Sequence, residues 1–509
     1  MDAKLIRTRS NRTDGRWTAV FIVAVLWGVL NAGRLCADTF TYLNESGETQ
    51  TVTGLLTGSG QGVHAIEQSD GSITLIPEQA VRERTVGADP EPLTPREMAD
   101  QLTEEFGDTG VRTLVRDPYV VGLVLAGPLP EQSEARVTGF LKNAAQFLDR
   151  VDTVFSGFCR DLRTETSPPR YPLVMLIFER DRDFNAYTTE ATGGRGLSSE
   201  RVSGFYSPLT NRLAIRIGEC RSFQVPLHEA IHQQVFNRGL LQRLADIPTW
   251  FNEGIATGFE NNGERINIGP NKVNSIYARR LNGDRVLDWQ EIVTADAAFR
   301  GDVLVGEAYA QAWGLHWLLV TEHKSDYARY LKQLGQIEPL QKQPPELRQK
   351  LFEETFGTTI AELEEDFPRL LKAAMRRQGV RLNSSSNPGY SLTSGDACEV
   401  ELTAVQRTSR ENLIEVQGRI RNVSPFRDFA FYVTVQTDGG FYTDWFIPCV
   451  SRLETAQLPK QFIMKHLPGG PGTEGTTFWV EISSALPDSE EVAAWKRGEY
   501  PVPVWNPRN

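Results

Sequence analysis

His228-Glu229-Ala230-Ile231-His232, followed by Trp250-Phe251-Asn252-Glu253-Gly254-Ile255-Ala256, is the stretch that decides how this chain is read. Residues four apart on a helix lie on one face, so His228 and His232 can bring two imidazole nitrogens to one point. Glu229 falls between them and addresses a water at that point instead of filling a third ligand position. Glu253 comes 21 positions after His232, enough chain to leave the first helix, turn and return on a second. Two imidazoles, a carboxylate and an open fourth position form the donor set of a catalytic zinc ion. The expected ligands of Zn2+ are therefore His228, His232 and Glu253. Glu229 is the expected general base, taking a proton from the attacking water and later returning one to the leaving group.

The flanking residues carry further expectations. Pro248 starts the second helix, and Gly254 with Ala256 leaves room beside the first. Asn237 and Gly239 shape the exit from the HExxH helix, because both tolerate left-handed or turn geometry. Glu260 and Asp246 are candidates to hold the outer nitrogen of a ligand histidine. Trp250 and Phe251 either line a pocket or pack the core, His316 is core or surface, and Arg279 and Arg280 offer cations to solvent or to a substrate carboxylate. Leu213 to Ile217 reads as a strand just before the helix.

Other segments accompany the zinc residues: Gly204-Phe205-Tyr206-Ser207, Thr210-Asn211-Arg212, Phe236-Asn237-Arg238-Gly239, the continuation to Glu260, and Tyr309-Ala310-Gln311-Ala312-Trp313. On these residues the chain resembles the gluzincin peptidases of the MA-like superfamily, in particular a bacterial peptidase-like family of unknown physiological function. The resemblance spans about Pro95 to Ala374, over half the chain. It implies a zincin-like core with a catalytic zinc on His228, His232 and Glu253 and with Glu229 as base. It also implies that the Leu213 to Ile217 strand offers an edge to extended substrate, the alternative being an ordinary sheet strand that supports the helix, and that Tyr309 stabilises the developing negative charge, the alternative being that it packs the Ala308 to Val320 helix. Thr257 departs from the pattern, since several related peptidases carry an acid at that position.

The expected fold class is α+β: a zincin-like metallopeptidase core, residues 95–382, flanked by a small β-rich domain at 38–86 and a β-sandwich-like domain at 390–509. Linkers are expected at 87–94 and 383–389. Thr94-Pro95-Arg96-Glu97 and Thr359 with Glu362 read as capped helix starts. Strands are expected at Tyr119 to Leu125 and Leu173 to Phe178, and helices at about Glu131 to Val154 and Val305 to Val320. Phe431 to Val435 and Phe441 to Phe446 flank an Asp438-Gly439 turn.

Lys4, Arg7, Arg9, Arg12 and Arg16 precede an apolar run, so residues 1–37 read as a signal peptide cleaved after Ala37 or as a retained signal anchor in the membrane. The expected location is outside the cytoplasm: periplasmic, cell-surface or secreted. Removing that segment leaves Cys159, Cys220, Cys398 and Cys449, an even number that suggests disulfides Cys159 to Cys220 and Cys398 to Cys449 in an oxidising compartment; four buried free thiols are the alternative. A formal charge of -11 argues against nonspecific nucleic-acid binding. The expected partner is a peptide or protein substrate, and the expected activity is zinc-dependent endopeptidase cleavage. The competing class is an inactive zinc-binding scaffold used for protein or cell-surface binding. Oligomeric state is not encoded in these motifs.

Overall fold

The computed structural model describes residues 38–497 apart from 45, 88–89, 193–202, 222–223, 261–265, 267–268, 282–286, 301–304, 381–390, 407–412, 438–439 and 465–477. The signal or anchor segment, the 383–389 linker and the Asp438-Gly439 turn lie outside these residues. The chain divides into two compact units, 1–69 with 74–91 and 70–73 with 92–509. Together they give a mixed α+β architecture with several sheets. No helix among the described residues is long and apolar enough to cross a membrane.

In the first unit, β1 (Asp38–Leu43), β2 (Thr49–Gly60), β3 (Val63–Glu67), β4 (Ile73–Pro77) and β5 (Val81–Val86) form one sheet in the order β4-β3-β2-β1-β5. Phe40, Val52, Ile66 and Ile76 meet in its small core.

The second unit is built on a five-stranded sheet. Its strands are β6 (Val111–Arg116), β7 (Tyr119–Val124), β8 (Leu173–Phe178), β9 (Gly204–Ser207) and β10 (Arg212–Arg216), ordered β6-β7-β8-β10-β9. The continuous apolar runs of β7 and β8 are buried on both faces, as expected of parallel neighbours covered by helices. Helix α1 (Pro95–Phe106) opens with a capping box between Thr94 and Glu97. Helix α2 (Glu134–Leu162) carries the crossover from β7 to β8 and buries Val137, Leu141, Leu148, Val151, Phe155 and Leu162, one stripe at helical spacing. Then follow α3 (Asp181–Ala191), α4 (Gln224–Asn237), α5 (Thr249–Phe259), α6 (Ser275–Leu281), α7 (Trp289–Thr294), α8 (Val305–Glu322), α9 (Lys324–Leu334), α10 (Pro345–Phe356) and α11 (Ile360–Gln378). The last begins with the Thr359 and Glu362 capping box.

Of the two readings of Leu213 to Ile217, a substrate edge or an ordinary sheet strand behind the helix, the structure shows the second: β10 lies inside the sheet, parallel to β8 on one side and antiparallel to β9 on the other. The edge is β9, a four-residue strand too short to show alternation in sequence. The room left by Gly254 is also used differently. A Cβ there would meet the Ala312 carbonyl oxygen and the His316 Cβ, each at 2.9 Å, so the missing side chain admits α8 rather than the HExxH helix.

The C-terminal part of this unit contains β11 (Ser391–Gly395), β12 (Cys398–Gln406), β13 (Leu413–Asn422), β14 (Phe429–Thr437), β15 (Tyr442–Val450), β16 (Thr455–Met464), β17 (Phe478–Ala485) and α12 (Ser489–Lys496). The strands make two antiparallel sheets, β11-β12-β13-β16 and β15-β14-β17, around a shared core that includes Val400, Val416, Phe431, Val433 and Trp445. A buried polar cluster fastens these sheets to the central one. The fully buried Glu179 carboxylate accepts hydrogen bonds from Arg427 Nε at 3.0 Å, Ser424 Oγ at 2.9 Å and the Ala126 amide at 2.9 Å. Asp396 accepts from the amides of Asp181 at 2.8 Å and Ser484 at 2.7 Å.

The expected disulfides are absent. Cys159, Cys220, Cys398 and Cys449 are all free thiols. Cys159 points from α2 into the main core, where burial pushes its thiol up to about 12. Cys398 is buried in the separate core between the C-terminal sheets, and Cys449 has Asp428 as its neighbour, with Sγ 3.9 Å from Oδ2. Each thiol is settled by its own surroundings, with no second sulfur in reach.

Candidate metal centre

Helix α4 is fixed by amide side chains as much as by apolar packing. Gln233 Nε2 donates to the Val174 carbonyl on β8 at 3.0 Å, and Gln234 Nε2 donates to the Tyr119 hydroxyl on β7 at 3.0 Å. At its C-terminal end, Asn237 Nδ2 donates to the Gln233 carbonyl at 2.9 Å and to Asn211 Oδ1 at 2.8 Å, while the Tyr206 hydroxyl donates to the same Oδ1 at 2.7 Å. Gly239, with φ +76°, then turns the chain. Three segments that are separate in sequence thus form one network around the hairpin turn between β9 and β10. The start of α5 is held from a distance, since the Thr249 amide donates to Asp296 Oδ1 at 2.9 Å.

This scaffold brings His228, His232 and Glu253 together, with one ligand atom from each lying within 4.8 Å of the others. The two Nε2 atoms are 3.1 Å apart, and Glu253 Oε2 is 3.1 Å from His228 Nε2 and 3.6 Å from His232 Nε2. Donors sharing a tetrahedral zinc at its usual bond lengths stand about 3.3–3.5 Å from one another. The residues therefore fit the ion. The electrostatics also favour positive charge at the point of convergence. Burial opposes a charged imidazole at His228, yet hydrogen bonds to Glu253 and Glu260 hold its pKa well above the ordinary value. Burial would raise Glu253, but His232 and His228 hold its carboxyl far below the usual range.

Behind His228, Nδ1 meets Glu260 Oε1 at 2.6 Å, leaving Nε2 for the centre. Glu260 is itself held, since Oε2 accepts from the Tyr277 hydroxyl at 2.8 Å and its backbone carbonyl accepts from Asn274 Nδ2 at 2.6 Å. Asp246 is elsewhere, paired with Arg348 and the Gln343 amide. Thr257 turns its hydroxyl back to the Glu253 carbonyl oxygen, and His232 Nδ1, which is buried, has no hydrogen-bond partner among the described residues.

Glu229 stands beside the histidines with Oε2 accepting the Tyr206 amide of edge strand β9 at 2.8 Å. Burial raises its pKa, and the nearby His228 and His232 offset only part of that. Tyr309, on α8, lies against His228 with ring centroids 6.1 Å apart. Burial, then the Glu253 and Glu229 carboxylates, raises its pKa well above the ordinary value and keeps the phenol a hydrogen-bond donor. Trp250 and Phe251 are fully buried, packed on Tyr330 and Tyr327. His316 is likewise buried, with Nε2 2.8 Å from the Tyr327 hydroxyl, and burial lowers its pKa to about 3. Arg279 and Arg280 are exposed on α6. Sequence reasoning missed Tyr277, Asn274 and the Tyr206 amide, because no local spacing links them to the ligands.

Residues 225–341 match a family described as "Protein of unknown function (DUF1570)". That span is less than half the chain and takes in every side chain of the centre, from His228 through Glu260 and Tyr277 to Tyr309. No curated protein matches the chain.

Proposed function

We propose that this chain is a zinc-dependent hydrolase of peptide bonds on a zincin-like core, exported from the cytoplasm and acting on peptide or protein substrates as an endopeptidase. The convergence of His228, His232 and Glu253, with Glu229 one residue along the same helix, carries the reading. Zinc, when bound, supplies Lewis acidity that polarises a carbonyl and makes water nucleophilic near neutral pH. The residues do the rest. His228, His232 and Glu253 hold the ion, and Glu260 fixes the His228 ring so that Nε2 faces inward.

Glu229 accepts the proton of the attacking water and delivers it to the leaving nitrogen. The Tyr206 amide keeps one Glu229 oxygen occupied, leaving the other to face the reaction. The Tyr309 hydroxyl donates to the oxygen on which negative charge develops. The sandwich-like C-terminal sheets add no residue to this set.

The test is metal analysis with peptide-library cleavage for the wild type and Glu229→Gln. About one zinc per chain in both proteins, with cleavage only by the wild type, is the expected result. Equal cleavage by both removes Glu229 from the mechanism, and zinc without cleavage in either moves the reading to a binding scaffold.

A further inference from the structure

Far from the zinc residues in sequence, the outer face of the β15-β14-β17 sheet carries two exposed aromatic side chains, Tyr442 at 68% and Trp479 at 54% of their full exposure. Both are paired in register with Gln436 on the middle strand, so Tyr442, Gln436 and Trp479 form one row across the sheet. The next row on the same face is Asp444, Thr434 and Glu481. The inward side chains of β14, Phe431, Val433 and Val435, are buried and make the core, which leaves Thr434 and Gln436 to face outward. Strand spacing sets the backbones of the two aromatic residues about 10 Å apart, and the rows lie about 7 Å apart along the strands.

None of the six side chains makes a hydrogen bond, ion pair or ring contact among the described residues. This face is therefore not a set of internally satisfied surface groups. Farther along the same face Tyr432 and Phe446 stack on each other with centroids 4.5 Å apart.

We infer that this face binds an uncharged polysaccharide. A pyranose ring offers a flat C–H face that packs on an aromatic ring, and hydroxyl groups at its rim that both donate and accept. Tyr442 and Trp479 supply two such platforms, separated by about the length of a disaccharide, so alternate sugars of an extended chain can stack on them. The row behind them supplies hydroxyl partners. Asp444 and Glu481 accept only, whereas Thr434 and Gln436 donate and accept. The charge selects among glycans: two carboxylates, Asp444 and Glu481, with no ion-pair partner among the described residues, repel uronic, sulfated or phosphorylated chains and leave neutral sugars favoured. Nothing in this inference depends on the peptidase reading.

The experiment is retention of the full chain on microcrystalline cellulose, chitin, mannan and β-1,3-glucan, with polygalacturonate as the anionic comparison, followed by titration with soluble oligosaccharides from any polymer that retains it. The part of the tryptophan fluorescence change that is lost in Trp479→Ala reports binding at the platform itself. Retention on at least one neutral polymer and not on polygalacturonate is expected, with Tyr442→Ala and Trp479→Ala each weakening it about tenfold. Phe462→Ala, which removes an exposed ring on the other sheet, should leave it unchanged, and thermal unfolding checks that each variant folds. Gln436→Ala provides a milder change on the same row. No retention on any neutral polymer overturns the inference, as does retention indifferent to both aromatic substitutions, preference for the anionic polymer, or a face that binds only a protein or a second copy of this chain.

Discussion

Removing the Glu260 carboxylate tests the centre most directly, because it touches no proposed ligand atom. Glu260 Oε1 lies 2.6 Å from His228 Nδ1, and its other oxygen is held by the Tyr277 hydroxyl at 2.8 Å. In Glu260→Ala the imidazole loses both the contact that selects its tautomer and the negative charge that raises its basicity. Losses of this kind typically weaken metal binding about 10–100-fold, which corresponds to about 1.4–2.7 kcal/mol. Glu260→Gln keeps an oxygen toward Nδ1 but removes the charge, and should fall between the alanine variant and the wild type. Tyr277→Phe should weaken binding less, and combined with Glu260→Ala should add almost nothing, since the hydroxyl acts through that carboxylate. Competition against a chelator of known affinity, at one pH, measures each dissociation constant. A Glu260→Ala protein that folds normally and binds zinc within about twofold of the wild type would refute the reasoning.

Three other outcomes follow from particular residues. Arg427→Ala strands the buried Glu179 charge and should destabilise the fold by about 3 kcal/mol, the lower end of the usual range because Ser424 and the Ala126 amide still bond it; urea unfolding reads this, and adding Glu179→Gln should recover most of the loss. Asp181 is pushed up to about 6, chiefly by burial and further by Asp396, against the opposing pull of Arg216. A carboxyl raised above its unfolded value of about 3.9 contributes stability that is complete below that value and is lost as pH rises through the folded pKa. The difference in unfolding midpoint between the wild type and Asp181→Asn should therefore change between about pH 4 and pH 6 and level off above; a pH-independent difference would discard that titration. Finally, the chain from residue 38 onward should take up four iodoacetamide groups after denaturation without reductant, one for each free thiol, and fewer would restore a disulfide.

The sequence carried some of this architecture and not the rest, for reasons that are physical. His228, His232 and Glu253 are legible because one helical repeat joins the first two and a second helix returns the third. Thr94 with Glu97 and Thr359 with Glu362 are legible because a capping box is local. Glu260 was one of two candidates, and spacing alone did not choose between it and Asp246; the choice is made by Tyr277 on α6 and by Asn274 just before that helix. The strand at β10 was legible from its apolar run, but whether it was an edge or an interior strand was not, because Gly204 to Ser207, the true edge, is short and has no alternation. Cysteine parity failed because an even count says nothing about which cores the thiols enter. No local pattern marks Glu179, Asp396 and Arg427, and only tertiary structure makes them a buried fastening.

His228 is gripped at both ring nitrogens by one short piece of chain, Glu253 at Nε2 and Glu260 at Nδ1, the second just past the end of the helix that carries the first. The ring is thus a bar fixed at two ends to a single support. It cannot swivel without breaking both contacts. His232 shares only the Glu253 end of this arrangement, so the two histidines are unequal: one is locked by the second helix, and the other is held by its own helix and by close packing.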